Sequence, residues 1–450
     1  MYSNRDLAKL LIPLIIEQML TALMGTVDTV MVSTISPAAV SGVSLVDSIN
    51  VLMQYVFAAL ATGGTIVCSQ YLGRRDVNGA NNAARQVLLS VLVLSTVITV
   101  VCVVFRQPLL ALIFGSAEPA VMDAALTYFL LTALSYPFMG IYDVSAALYR
   151  ATGNSRLPMV ISAGCNVVNI VGNSITIYIL DWGVAGAALS TLVSRILAAV
   201  ILLIIQDRPH QILTVGPYRT IRPDFATIAL VLSIGIPTGL ENGLFQFGKL
   251  AVQSAVSTLS TTEISAQAIV VVLEAFTSMP SMAIGLGLVT VAGQCMGAGR
   301  PDEARRYIWK LTALSAAVLF ITNWAVYFLT APITRLAGME AEAAALTCQL
   351  MLIISIVKPF LWPMAFTPVN GMKAAGDVRF TMVVSTVSMW IFRVGLCYLL
   401  ILGHGFGPLG VWISMFADWA VRSVIYTIHL IRGRWATKRV LKEAPPAQEP

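Results

Sequence analysis

Twelve apolar runs dominate this chain of 450 residues, near 7–32, 44–70, 86–105, 121–149, 157–180, 184–206, 225–255, 266–292, 309–331, 342–368, 380–402 and 408–430. A bilayer core about 30 Å thick is crossed by roughly 20 apolar residues in helical form. Within it every backbone polar group must be satisfied inside the segment, which favours helices. Only 11% of the residues are charged and 57% are hydrophobic, with a mean hydropathy of +0.82. Soluble domains carry about 25% charged residues. The expectation is an all-α polytopic membrane protein of twelve transmembrane helices, with little chain left for a folded soluble domain.

Lysine and arginine are spread unevenly around these runs. With the N-terminus in the cytoplasm, 21 of the 28 lie in cytoplasmic segments, from Arg5 and Lys9 to Arg432, Arg434, Lys438, Arg439 and Lys442 in the tail. External loops carry two, Arg106 and Arg335, and five (Arg195, Lys249, Lys358, Arg393, Arg422) fall inside or at the ends of spans. This positive-inside bias predicts a multi-pass protein of the cell membrane with both termini cytoplasmic. The net charge of +6 then reports topology and contact with anionic lipid, not nucleic-acid binding. The six cysteines (68, 102, 165, 295, 348 and 397) stand singly, with no CxxC pair, and read as small core residues. The first apolar run is too long for a signal peptide and no small-residue cleavage site follows, so it is expected to be the first span.

The chain repeats itself. Ile12, Pro13, Glu17 and Leu20 return as Ile236, Pro237, Glu241 and Leu244, an offset of 224. Gln70, Gly73 and Ala80 return as Gln294, Gly297 and Ala304, and Gly183 and Gly186 as Gly407 and Gly410. At 223, Ala151, Gly153, Arg156, Met159 and Val160 return as Ala374, Gly376, Arg379, Met382 and Val383. Spans 1–6 therefore recur as spans 7–12. Because six is even, both copies enter the membrane in the same direction. The expected architecture is two parallel six-helix lobes related by a pseudo-two-fold along the membrane normal, with a cavity between them. The division is 1–207 for the N-terminal lobe, 208–224 for a cytoplasmic linker, 225–431 for the C-terminal lobe and 432–450 for a basic tail.

Charges inside the spans need an account, since one at the bilayer centre costs about 2.5–3.5 kcal/mol. They are Glu17, Asp28, Asp47, Asp143, Arg195, Glu241, Lys249, Glu274, Lys358, Arg393 and Asp418. Such groups line water, meet partners or lose their charge. Glu17, Thr21, Met24 and Asp28 are spaced 4, 3 and 4 on one helix face, the carboxylates roughly 16 Å apart along the axis. Asn166, Asn169 and Asn173 form a second polar face on the fifth span. Together they offer carboxylate and amide oxygens to a proton or small hard cation, although asparagines also join helices by hydrogen bonds. Glu17 and Glu241, shared by both halves, read equally well as scaffold or as function. Shifted by 224, Asp28 becomes Val252, and the asparagine face meets Phe392 and Arg393. The seventh span carries Asn242, Gln246, Lys249 and Gln253 instead. The N-terminal half is thus the cation-binding side. Pro137, Pro359, Pro363 and Pro368 fall inside spans, where they free carbonyls and permit bending.

At these residues the sequence resembles the multidrug and toxic compound extrusion family over nearly its whole length. The carrying stretches are "IPLIIEQMLTALMGTVDTVMVS" (12–33), "SQYLGRRDVNGANNAAR" (69–85), "YRATGNSRLPMV" (149–160), "GVAGAALSTLVSR" (183–195) and "NGMKAAGDVRF" (370–380). The resemblance implies export of amphipathic, often cationic compounds in exchange for H⁺ or Na⁺, with no cofactor. It maps the family's cation site onto Asp28, Asn169, Asn173 and Thr191, where Na⁺ would also be held. This chain has Asn173 where relatives with a well-defined ion site carry aspartate. The tenth-helix stretch "KPFLWPMAFTPVNG" lacks the acid that some relatives use in the C-terminal lobe.

The expected mechanism is alternating access. Asp28 takes a proton or Na⁺, its neutralisation removes the cost of dehydrating a charge, and the first and fifth helices repack. Glu17, Met24, Asp143, Glu241, Gln246 and Lys249 are candidates for the substrate cavity or for coupling. A single carboxylate favours H⁺ over Na⁺. The expected partners are small amphipathic molecules and membrane lipid, with the chain working as a monomer. The alternative is a flippase for lipid-linked saccharides or another lipid, with Lys249, Lys358 and Arg393 meeting pyrophosphate. An embedded enzyme is not expected: no HExxH and no nucleophile elbow occur, and His210, His404 and His429 lie near span ends or in loops.

Overall fold

A computed structural model describes residues 2–115, 117–208, 211–216, 221–438 and 440–441. His210, Arg439 and Lys442 lie outside the described residues. Among the described residues the regular structure is helical and no strand occurs. Contacts divide the chain into two compact units, Ser3–Gly239 and Leu240 onward, with Tyr2 joining the second.

In the first unit, α1 (Asn4–Ser33) opens on a capping box between Ser3 and Asp6. It is followed by α2 (Pro37–Gly73), capped by Ser36, and α3 (Val77–Val104), capped by Asp76. A short α4 (Arg106–Phe114) leads to α5 (Pro119–Leu134) and α6 (Tyr136–Ala151), which meet at Ser135 with a bend of 46°. Helix α7 (Arg156–Asn173) runs on as a π-helical turn over Ser174–Ile179, and α8 (Gly183–Gln206) closes the set. The first half of α9 (Phe225–Val256) packs here too: a Cβ on Gly63 of α2 would come within 2.7 Å of the Val231 carbonyl.

The segment between α8 and α9 is fastened to α3. Arg85 donates to the carbonyls of Val215 and Gly216 at 3.0 and 2.7 Å, and the Thr214 amide donates to the Asn81 side chain at 3.0 Å. Leu213 and Val215 are buried beneath it. Asp224 caps α9 by accepting from the amides of Ala226 and Thr227, and its other oxygen accepts from the Thr227 hydroxyl and from Asn82. These bonds hold the Asp224 carboxyl below the usual aspartate range.

The second unit contains α10 (Thr261–Gly297), α11 (Pro301–Leu336) and α12 (Ala341–Ala374), the last with three internal prolines. Next come α13 (Val378–Ser388), a π turn at Met389–Gly395, α14 (Leu396–Tyr398) and a second π turn at Leu399–Gly403. Helix α15 (Gly407–Arg432) ends on Gly433 in the left-handed region. Its core gathers Trp362, Trp412, Trp419, Met351 and Met415. Trp435 tucks back, fully buried, and its indole donates to the Leu430 carbonyl. All six cysteines are free, and five are buried.

Among the described residues, ten helices are long and apolar enough to cross a membrane, and the bent pair α5–α6 adds an eleventh. The twelfth run is α15, whose centre is diluted by Asp418 and Arg422, buried and paired at 2.7 Å. The repeat extends to the backbone: α2 and α10 both span 37 residues, at an offset of 224. The left-handed residues recur as well: Arg75 (φ 62°) matches Gly299 (φ 70°), Asp181 (φ 51°) matches Gly405 (φ 67°), and Gly183 (φ 54°) matches Gly407 (φ 58°). The two copies share these turns even where the N-terminal one carries arginine or aspartate in place of glycine.

Candidate ion-binding site

Within the first unit lies a cavity of about 380 Å³, walled by α1, α2, α5, α6, α7 and α8. Asp28 reaches it from α1. Asn173, the last residue of α7 before the π turn, is buried and donates through Nδ2 to Asp28 Oδ1 at 2.7 Å. The same nitrogen donates to Asn169 Oδ1 at 3.2 Å, one helical turn back. Asn169 Nδ2 in turn donates to Thr191 Oγ1 on α8 at 3.3 Å. The Thr191 hydroxyl spends its own proton on the Ala187 carbonyl, so it can only accept from Asn169. The four residues expected to form an ion site thus make one connected chain in which donation diverges from Asn173, to Asp28 on one side and through Asn169 to Thr191 on the other.

One acceptor is left over. Asn173 Oδ1 is buried without a hydrogen-bond partner, an arrangement that costs about 1–3 kcal/mol unless something fills it. The π turn that begins one residue later closes with the Leu180 amide on the Ile175 carbonyl. Such turns carry an extra residue per turn and often mark functional positions.

Met24 and Asp143 also line the cavity, and the buried Asp143 Oδ2 has no hydrogen bond. Asp47, Asn50, Tyr128 and Arg195 also face the cavity. Asn50 donates to Asp47 at 3.0 Å and accepts from Tyr136 at 2.9 Å, and Arg195 donates to Ser135 Oγ at the α5–α6 bend at 2.6 Å. Three aspartates against one arginine make the cavity acidic. Asp47 and Arg195 stood in the sequence as isolated intramembrane charges, and nothing in their spacing joined α2 and α8 to the stripe on α1.

Glu17 is not part of that lining. It is 4% exposed, and its Oε1 accepts from Tyr142 at 3.2 Å and pairs with Arg150 at 3.5 Å. Glu241 pairs with Lys373 at 2.7 Å. Since Arg150 and Lys373 are themselves related by 223, both halves tie their first helix to the end of their fourth in the same way. Gln246 Oε1 is buried and unpartnered, while Lys249 is exposed and lies over the Phe245 ring at 5.3 Å. Two further buried pairs lie in the second unit: one joins α10 to α12 and was illegible in sequence, and the other is an i, i+4 pair within α15. Lys358, fully buried, holds Glu274 Oε1 at 2.7 Å and donates to Thr277 and Ser278, both at 2.7 Å. Arg422 holds Asp418.

The MatE family model matches residues 13–175 and again 237–399, two stretches of equal length at the same offset of 224. The chain belongs to the MatE family. It is a multi-pass membrane transporter. Among MatE-like relatives, "Uncharacterized transporter YisQ" of Bacillus subtilis is 25% identical, covering 95% of this chain and 92% of its own length. "Probable multidrug resistance protein NorM" of Thermotoga maritima is 24% identical, covering 97% and 94%. A solved structure described as "Crystal structure of MATE in complex with MaD3S" superposes with a TM-score of 0.85 at 19% identity, covering 96% of each chain. The fold of that structure thus extends over 96% of this chain.

Proposed function

We propose that this transporter is an antiporter that exports amphipathic, cationic small molecules in exchange for H⁺ taken up at Asp28. The observation that carries this reading is the hydrogen-bond chain from Thr191 to Asp28, with its unfilled acceptor at Asn173. A protonated Asp28 becomes a hydrogen-bond donor. Rotating the Asn173 amide would offer its Oδ1 to that proton and withdraw Nδ2 from Asn169, loosening α7 where the π turn begins. Ion uptake and helix rearrangement would then be one event, and drug and ion need only favour opposite states to be coupled. Na⁺ would need oxygens, and in the present arrangement an amide N–H faces the carboxylate, which supports H⁺.

The relatives named for multidrug resistance support export of drugs as the direction of work. The same reading places both termini in the cytoplasm, takes 1–207 and 225–431 as the working lobes of a monomer, joined by 208–224 and followed by the tail 432–450, and assigns no chemical step to the chain.

The test is ethidium efflux from proteoliposomes under imposed pH or Na⁺ gradients, wild type beside Asp28→Asn. A pH gradient should drive efflux by the wild type and not by the variant. Efflux driven by Na⁺ alone would overturn the choice of ion, and unchanged efflux in Asp28→Asn would overturn the site.

A further inference from the structure

In the second unit, three cations surround one aromatic ring. Lys249 Nζ lies 5.3 Å from the centroid of Phe245, Arg393 Cζ 5.1 Å and Arg422 Cζ 5.8 Å. Arg422 is neutralised by Asp418 at 2.7 Å and also donates to the Ser385 carbonyl at 2.8 Å. The other carboxylate nearby, Glu274, is committed to Lys358. Among the described residues, neither Lys249 nor Arg393 has a carboxylate within ion-pair distance. Arg393 is only 9% exposed, and its Nε is buried with no hydrogen-bond partner. Asp418 Oδ2 is likewise without a hydrogen bond, yet no ion pair closes between it and Arg393.

A ring face offsets only a small part of the cost of withdrawing a guanidinium from water. Buried charges in membrane spans are ordinarily paired, and Arg393 presents an N–H donor with nothing to receive it. The surroundings are apolar and aromatic: Phe366 stacks on Trp362 at 4.8 Å and lies under Arg422 at 5.4 Å. We infer that Lys249 and Arg393, with Phe245 between them, form a subsite for the anionic group of an amphipathic molecule, a carboxylate or a group of like charge. The fork of Arg393 orients the anion, and the exposed Lys249 completes its neutralisation. The inference names a substrate class for the transporter proposed above and rests on that reading for the claim that the occupant is cargo. Such cargo carries an anionic group in addition to its cation.

The test is equilibrium binding to the full-length protein in phosphatidylcholine nanodiscs, with no ion gradient, so that its outcome is separate from that of the efflux assay. The probes are rhodamine 110 and rhodamine 123, which share one cationic ring system and differ in bearing a free carboxylate or its methyl ester. The wild type should bind the free acid about tenfold more tightly than the ester. Lys249→Gln, at an exposed position, should abolish most of that preference by weakening binding of the free acid more than that of the ester. Arg393→Lys, which keeps the charge and loses the fork, should retain part of it. Equal affinity for acid and ester in the wild type, or equal losses for both in Lys249→Gln, would overturn the subsite. Adding phosphatidylglycerol should leave the preference intact. Its disappearance would identify the anion as a lipid head group and overturn the assignment to cargo.

Discussion

Asn173 is the residue on which the account turns. Its amide nitrogen serves two acceptors while its oxygen serves none. Replacing it by aspartate would set a second carboxylate within hydrogen-bonding distance of Asp28. Two such groups cannot both stay ionised without sharing a proton or a cation. Asn173→Asp is therefore expected to make efflux respond to a Na⁺ gradient, measured in the same vesicles. No gain of Na⁺ response would show that the amide is not what excludes the metal ion. The stripe of asparagines and Asp28 were legible in the sequence because helical spacing places them on one face. The order of donors was not, because it depends on how α1, α7 and α8 approach one another.

Between elements, the recurring tie from first to fourth helix answers why a glutamate sits in an apolar run. Removing one member of a buried pair leaves the other charge unmet, so Glu17→Ala should lower stability by about 3 kcal/mol. Adding Arg150→Leu should recover much of the loss. Thermal unfolding in detergent would measure both, and additive losses would show that the pair is not coupled. The pairing was hidden because Glu17 and Arg150 are 133 residues apart, although the repeat of both partners could have revealed it.

A second tie is the Asp224 cap on α9. Asp224→Ala should cost about 1 kcal/mol at neutral pH. A carboxyl held below its unfolded value of 3.8 contributes stability that is fully present above that value and lost as pH falls through the folded one. The difference in Tm between wild type and variant should therefore begin to shrink as pH falls below about 3.8 and be lost below the folded value. A difference that persisted there would assign the effect to packing.

At the scale of the molecule, the twelve runs and their duplication were legible almost completely, since bilayer thickness and a shared ancestor both leave periodic marks. What the sequence concealed was α4, the bend at Ser135 and the π turns, which are set by local backbone bonding within otherwise apolar stretches. The charge bias makes a prediction of its own. A cysteine placed at Ser257, in the turn after α9, should be modified by an impermeant maleimide from outside the cell, and one at Lys438 only from inside. The opposite pattern would invert the topology.

The most direct test of the central claim is proton release on substrate binding. If ethidium and H⁺ favour opposite states, adding the dye to purified protein in weakly buffered detergent should release about one proton per dye bound. Asp28→Asn should bind the dye and release none. Equal release from both proteins would mean that the exchanged proton is held elsewhere than at Asp28.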